Sequence, residues 1–433
     1  MLFAVGALAV SGVLAPMLAI SRAPGMEAYL PWAEQAFQRA IIEHVVFSVV
    51  VWMLAVFGGL LTIAAYDGGR TPKAAPLGRI ALWLMAPAFV LLFVPGVLTS
   101  AEPSLNNYVP VMIHPLYYAG LIVLFAALGL VAVRRVLNWR ADAGAIDGTG
   151  AGAVVYTMAL VAFFLAWATM GDTTPSLAYN EDLFWGGGHI LQVLNALLLL
   201  IGWTVLAGRA LGAPLVGAKV FRAAMGLGVL AGLGVLGLYA FYPIDGGGLA
   251  DMQSKTKFLL VAPTGLVGLT ALPVLAKAAR ADAWKNPAFV AMALSMMLFA
   301  VGGVMGYFAD GTDTKTPGHY HAVLGGVNLA FFGLVMFHFL PLLGRALKPG
   351  RWPFIMLYTY AAGQALQSAG MFIAAAPRKT MGQAQMLETT AEKLGMQMNQ
   401  NGALIAVIGG ILFVLIAGRA LLKKTPETKR KFL

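Results

Sequence analysis

The 433-residue chain contains no cysteine. That excludes disulfides, thiolate-held iron–sulfur or copper centres, and haem attached covalently through a C-x-x-C-H motif within this chain. Charge is scarce too, at 11% of residues, while 60% are hydrophobic, a balance far from that of soluble domains. Acidic residues are the scarcer sign, 18 against 29 basic ones. Histidine is limited to six positions, no two of them adjacent. No internal repeat stands out, which argues against a repeat-built secondary transporter.

What the chain does have is apolar length. Runs of the ~20 residues needed to cross a bilayer recur at about 2–21, 34–65, 79–100, 109–133, 151–170, 184–208, 220–242, 256–277, 287–308, 317–345, 353–375 and 402–422. These spans predict an all-α integral membrane protein of twelve transmembrane helices, forming one membrane domain over residues 1–433. The first run lacks a basic leader and is long enough to span, so it reads as a helix rather than a removed signal. The polar stretch 377–401 is expected to be a loop or short amphipathic helix before the last span.

Lys and Arg gather in alternate loops, at Arg70 and Lys73, Arg134 and Arg135, Arg209 and Lys219, Lys277 and Arg280, Arg345 and Lys348, and in the Lys423–Lys431 tail. The other loops carry Glu102, Asp172, Glu181, Asp182, Asp310 and Asp313 instead. The positive-inside rule then puts both termini in the cytoplasm, in a multi-pass protein of a bacterial inner membrane. The net charge of +11 reflects topology and contact with anionic membrane lipid, and no nucleic-acid partner is expected.

Histidine placement carries the chemistry. His319-Tyr320-His321 sits near the start of the tenth span. Two residues along a helix is about 200° of rotation, so the two imidazoles point to nearly opposite sides. They cannot clamp one metal, but each can ligate its own planar cofactor across the helix, and a pair of haems needs that geometry. His44, His114 and His189 share the outer half of the membrane with this pair, whereas His338 lies at the cytoplasmic end of its helix. Intramembrane ionisable groups are costly and usually functional. No motif surrounds His114 or His338, which read as packing or interface residues. Trp185 and Trp352, at span ends, read as interface anchors.

Three stretches resemble one family. They are Arg39-Ala40-Ile41-Ile42-Glu43-His44, Trp185-Gly186-Gly187-Gly188-His189-Ile190-Leu191-Gln192, and Gly318-His319-Tyr320-His321-Ala322-Val323-Leu324-Gly325-Gly326. In this order, with histidines in spans two, six and ten, they are similar to subunit I of the haem–copper oxidase superfamily, especially its nitric oxide reductase and cbb-type branches. Ala262-Pro263-Thr264-Gly265 also resembles a Pro-Thr-Gly kink of that family. The resemblance implies two haems, expected to be of b type. His44 and His321 would be axial ligands of a low-spin haem. His319 would be the proximal ligand of a high-spin haem where a diatomic gas is reduced. His189 would face that gas and hold a distal metal, non-haem iron or copper. Electrons would come from a donor subunit, cytochrome c or quinol.

The departures are equally informative. The family's distal metal normally uses a His-His pair near the end of span seven, and this chain reads Tyr239-Ala240-Phe241-Tyr242-Pro243-Ile244-Asp245 there. Gln192, one turn beyond His189, with Asp245 as a further candidate, is the substitute ligand set, and His319, His189 and Gln192 are the candidate catalytic residues. The helix-six tyrosine of the main oxygen reductases is absent, with Tyr239 or Tyr242 as stand-ins. The lysine that follows the Pro-Thr-Gly kink in proton-pumping members is Val267 here. These losses favour reduction of nitric oxide to N2O over a cytochrome c oxidase-type reduction of oxygen. A non-catalytic dihaem electron-transfer or gas-sensing protein is the alternative from another class.

Overall fold

The computed structural model describes residues 1–21, 34–66, 71–98, 100–139, 148–171, 174–244, 247–280, 282–309, 311–377 and 387–423. Each expected span corresponds to a helical segment. Eleven are long and apolar enough to cross a membrane. The other, α14 (Trp352–Ala374), equals several of them in length but places Gln364, Gln367 and Ser368 in the protein interior. Its polarity is turned inward, where Gln367 lies beside His321 of α12.

The helices fall into two compact units. One unit comprises residues 38–201 and 216–271. It holds most of α2 (Glu34–Val45), then α3 (Trp52–Tyr66), α4 (Ala75–Val97), α5 (Pro115–Leu137), α6 (Gly148–Thr169), and the first part of α7 (Leu177–Leu211). It continues with α8 (Ala218–Gly237), α9 (Gly248–Lys255) and the start of α10 (Val261–Arg280). Helices α4 and α5 pack closely because Gly120 has no side chain, and a Cβ there would lie 3.0 Å from the Leu92 amide nitrogen. Trp52, Phe47, Phe57, Tyr117 and Tyr156 form the fully buried aromatic core. The Tyr156 hydroxyl donates to the Phe125 carbonyl at 2.9 Å, the partner a buried phenol needs.

The other unit comprises residues 1–37, 202–215 and 272–433. In it α11 (Pro287–Tyr307) pairs with α12 (Lys315–Leu334), α12 with α14, and α14 with α15 (Thr390–Leu422), on which α1 (Leu2–Ser21) also packs. A π-helical stretch, Val335–Phe339, extends α12 into the short α13 (Leu340–Leu342). Glycines let α14 and α15 meet backbone to backbone. Gly363 and Gly370 on α14 face Gly395, Gly402 and Gly409 on α15, and a Cβ at Gly395 would sit 2.6 Å from the Ala374 nitrogen. Seven-residue spacing keeps these glycines on one helix face, the small-residue contact that bilayers favour because packing, not water, drives association there.

Two expectations need correction. The polar stretch 377–401 is not a loop up to the last span, because α15 begins at Thr390 and runs unbroken for 33 residues. A capping box starts it: the Glu392 amide donates to Thr389 Oγ1 at 3.1 Å, and the Thr389 amide donates to the Glu392 carboxylate at 3.0 Å. That satisfies the amides a helix start leaves open. The fourth span begins at Pro115 rather than 109, because 102–113 forms an antiparallel hairpin of β1 (Glu102–Ser104) and β2 (Val111–Ile113). Pro263 of the Pro-Thr-Gly stretch falls in the first turn of α10, just after the 3-10 turn Thr256–Leu260.

Candidate haem and gas site

In the first unit, α2 places half-buried His44 at its last turn, directly before a π-helical stretch, Val46–Val51. Ser48 Oγ donates to the His44 carbonyl at 2.6 Å, taking up an acceptor that the wider π turn disturbs. Such π insertions recur at functional sites. Glu43, one residue earlier, is buried without a hydrogen-bond partner for either oxygen, and its carboxyl fills the space that Gly96 leaves by lacking a side chain.

His189 lies mid-way along α7, 4% exposed, behind three consecutive glycines. Each glycine faces a different way around the helix, and each makes room for another chain segment. A Cβ on Gly186 would collide with Tyr239 and Gln253, one on Gly187 with the Phe163 ring, and one on Gly188 with Tyr108. Trp185 packs edge-on against Tyr108, ring centroids 5.4 Å apart, and its indole N–H donates to the Ala250 carbonyl at 3.2 Å. Trp185 is therefore a packing residue of this site and not an interface anchor. Trp352, 54% exposed, keeps the exposure an anchor requires.

Both nitrogens of His189 are engaged. Nδ1 lies 3.0 Å from the Trp185 carbonyl oxygen, one turn back. A carbonyl only accepts, so Nδ1 carries the proton and Nε2 the lone pair. The Tyr108 hydroxyl, 2.9 Å from Nε2, donates to that lone pair.

Tyr108 comes from the hairpin turn and is held there firmly. Its φ of 62° is left-handed, which costs a residue with a Cβ about 1–2 kcal/mol. The amide and side chain of Asn107 donate to Glu181 of α7 at 2.9 and 3.0 Å. Asn180 of α7 donates to Ser104 Oγ at 3.0 Å and accepts from the Tyr118 hydroxyl at 2.8 Å. Asn106 closes the turn by donating to the Val109 carbonyl at 2.6 Å. These bonds offset the strain and aim the phenol, as strained residues at functional sites require.

Of the substitute metal set, Gln192 is half-buried one turn along α7 from His189, and Asp245 lies outside the described residues. Among the described residues, no three His, Cys, Asp or Glu side chains converge where they could hold a metal. The donor set around His189 does not fit a metal ion, since the imidazole lone pair is already used by a phenol. The stand-in phenols fare no better: Tyr239 lies against Gly186, one turn from His189, and the phenol that reaches the imidazole is Tyr108.

In the second unit, α12 turns its two histidines to different neighbours, as their spacing requires. His319 Nδ1 lies 2.7 Å from the Gly302 carbonyl on α11, so it too is the protonated nitrogen and Nε2 carries the lone pair. Gly306, one turn further along α11, makes room for this ring, with a Cβ there only 2.6 Å from His319 Cε1. His321 faces α14, its Nε2 3.5 Å from the Gln367 amide nitrogen. The other two histidines have structural places. His114 caps α5, its Nδ1 accepting from the Leu116 amide at 3.2 Å. His338 Nδ1 accepts from Arg209 at 3.1 Å.

The fold is that of haem–copper oxidase subunit I, a membrane protein. It matches the cryo-EM structure of a heme-copper terminal oxidase dimer with a TM-score of 0.76, at 17% identity, covering 98% of this chain and 83% of that one. The chain belongs to the family described as Cytochrome C and Quinol oxidase polypeptide I, matched over residues 1–412. It is 26% identical over 358 residues to an uncharacterized protein of Aquifex aeolicus (strain VF5), covering 80% of this chain and 84% of that protein. An uncharacterized protein of Rickettsia prowazekii (strain Madrid E) is 20% identical over 488 residues, covering 96% and 93%. The chain is thus a membrane-embedded oxidoreductase of the respiratory haem–copper type.

Proposed function

We propose that the protein reduces a diatomic gas at a haem that His319 would hold, with electrons arriving through a second haem that His44 and His321 would hold. The observation that carries this reading is the bond from His319 Nδ1 to the Gly302 carbonyl. Histidines that ligate iron or zinc typically donate their other ring nitrogen to a carbonyl or carboxylate, which fixes the tautomer and makes the ligating nitrogen more basic. His321 faces a different helix and has Gln367 beside it, so the wall of α12 keeps the two ligands apart. The haems, of b type, would supply one-electron transfer where His44 and His321 hold one and gas binding where His319 holds the other. The protein holds and orients both groups and keeps water from the gas. It lies in a bacterial inner membrane with both termini cytoplasmic, and a donor subunit, cytochrome c or quinol supplies the electrons.

Nitric oxide, reduced to N2O and water, is the first substrate reading, because the chain lacks both the His-His pair and the lysine of pumping members. Oxygen is the second reading, favoured by one observation: a phenol, Tyr108, stands 2.9 Å from His189. The test is a purified sample with an artificial donor at gas-specific electrodes. Two haems per chain and faster consumption of nitric oxide than of oxygen support the first reading, and the reverse preference supports the second. A colourless protein overturns both. Reduced haem that binds carbon monoxide yet consumes neither gas leaves only electron transfer or sensing.

A further inference from the structure

We infer that this chain's gas-reducing centre has no distal metal, and that a Tyr108–His189 hydrogen-bonded pair stands where a metal-ligating imidazole is expected. The argument starts from His189 itself. A neutral imidazole has one ring N–H and one lone pair. The Trp185 carbonyl uses the first at 3.0 Å and the Tyr108 hydroxyl uses the second at 2.9 Å. To ligate a metal through Nε2, His189 would have to lose Tyr108. To ligate through Nδ1, it would have to give up its own helix carbonyl.

Tyr108 is not placed to leave easily. Its backbone is left-handed, its turn is tied to α7 through Asn107 and Glu181, and its Cβ occupies the place a Gly188 side chain would take. Trp185 covers its ring edge-on. The pocket is built for a phenol. Nor are replacement ligands gathered, since no set of three acidic or imidazole side chains converges among the described residues. Among the described residues, a lone imidazole with one amide side chain is too weak a set for a divalent transition metal, which takes three or more protein donors.

Tyr108 is thus the positioning residue that takes up the Nε2 lone pair of His189, whose tautomer the Trp185 carbonyl fixes, and the gas would be handled by a mononuclear iron. The inference deepens the reading of His319 as the gas-binding ligand, and the experiment separates the two. Total iron and copper are measured against haem in the purified wild-type protein and in His189→Ala, before and after incubation with ferrous iron or cupric ion followed by desalting. The expected result is iron equal to haem, no bound copper, and no difference between the two proteins. A metal equivalent beyond haem iron that disappears in His189→Ala overturns the inference. Absence of haem with no other metal bound instead sinks the reading of His319 and leaves only the part of this inference that concerns His189, a metal-free imidazole held by Tyr108.

A second readout is independent of metal content. In infrared spectra of protein carrying ring-labelled tyrosine, the Tyr108 phenol band is identified by its disappearance in Tyr108→Phe. It should move in His189→Ala and return most of the way in His189→Gln, which restores an acceptor. A band that stays in place through both His189 variants shows that the phenol does not hold the imidazole, and overturns the inference.

Discussion

The Gly302 carbonyl oxygen lies 2.7 Å from His319 Nδ1, tying the first histidine of α12 to the neighbouring helix α11. The bond fixes which nitrogen carries the proton and how the ring is turned. Gly306, beneath the same ring, is what lets it lie there.

Gly306→Ala should therefore displace His319 without removing it. Overpacking of this kind costs about 1–3 kcal/mol. The expected outcome is loss of carbon monoxide binding by reduced protein, with the low-spin haem spectrum kept. Unchanged carbon monoxide binding would show that the ring has room to spare.

His321→Ala and His319→Ala should separate the two haems spectroscopically. The first removes the low-spin signature and leaves carbon monoxide binding intact, and the second does the reverse. Difference spectra of dithionite-reduced protein with and without carbon monoxide distinguish them. If either variant loses both signals while remaining folded, the ligand assignment fails.

Tyr108→Phe keeps the ring against Trp185 and removes only the hydroxyl. Losing one hydrogen bond of ~1–1.5 kcal/mol predicts turnover lower by roughly tenfold with haem content unchanged. Gly188→Ala should act in the same direction more strongly, because its methyl would take the place of the Tyr108 Cβ. Turnover equal to wild type in both variants would remove the hairpin from the chemistry.

Topology can be read directly, because the chain has no native cysteine to confuse labelling. Single cysteines replacing exposed Lys348 and exposed Glu102 should react with a membrane-impermeant thiol reagent from opposite sides. Lys348→Cys is expected to be labelled only from the cytoplasmic face and Glu102→Cys only from the outer face. Labelling of both from one side contradicts the charge-based orientation.

Hydrophobic run length made nearly every helix legible in the sequence, and the misses share one cause. Apolar content reports where a helix meets lipid, not where it begins. The first turns of α15 are polar, and only the capping box at Thr389 and Glu392 marks its true start. The hairpin at 102–113 is too short to give an alternating pattern of its own. The opposed directions of His319 and His321 followed from helix geometry, and the structure turns them to α11 and α14 accordingly. Tyr108 was not legible, because 81 residues separate it from His189. The one signal pointing to it was the glycine run 186–188, which announces that something must approach that face of α7.

Because Tyr108 sits on a connecting turn and not within a span, the hydrogen bonding of buried His189 is set from outside the helices. Rewriting a few loop positions would change what that imidazole meets while every spanning helix stayed as it was. A scaffold built this way can alter its buried polar chemistry without repacking its core.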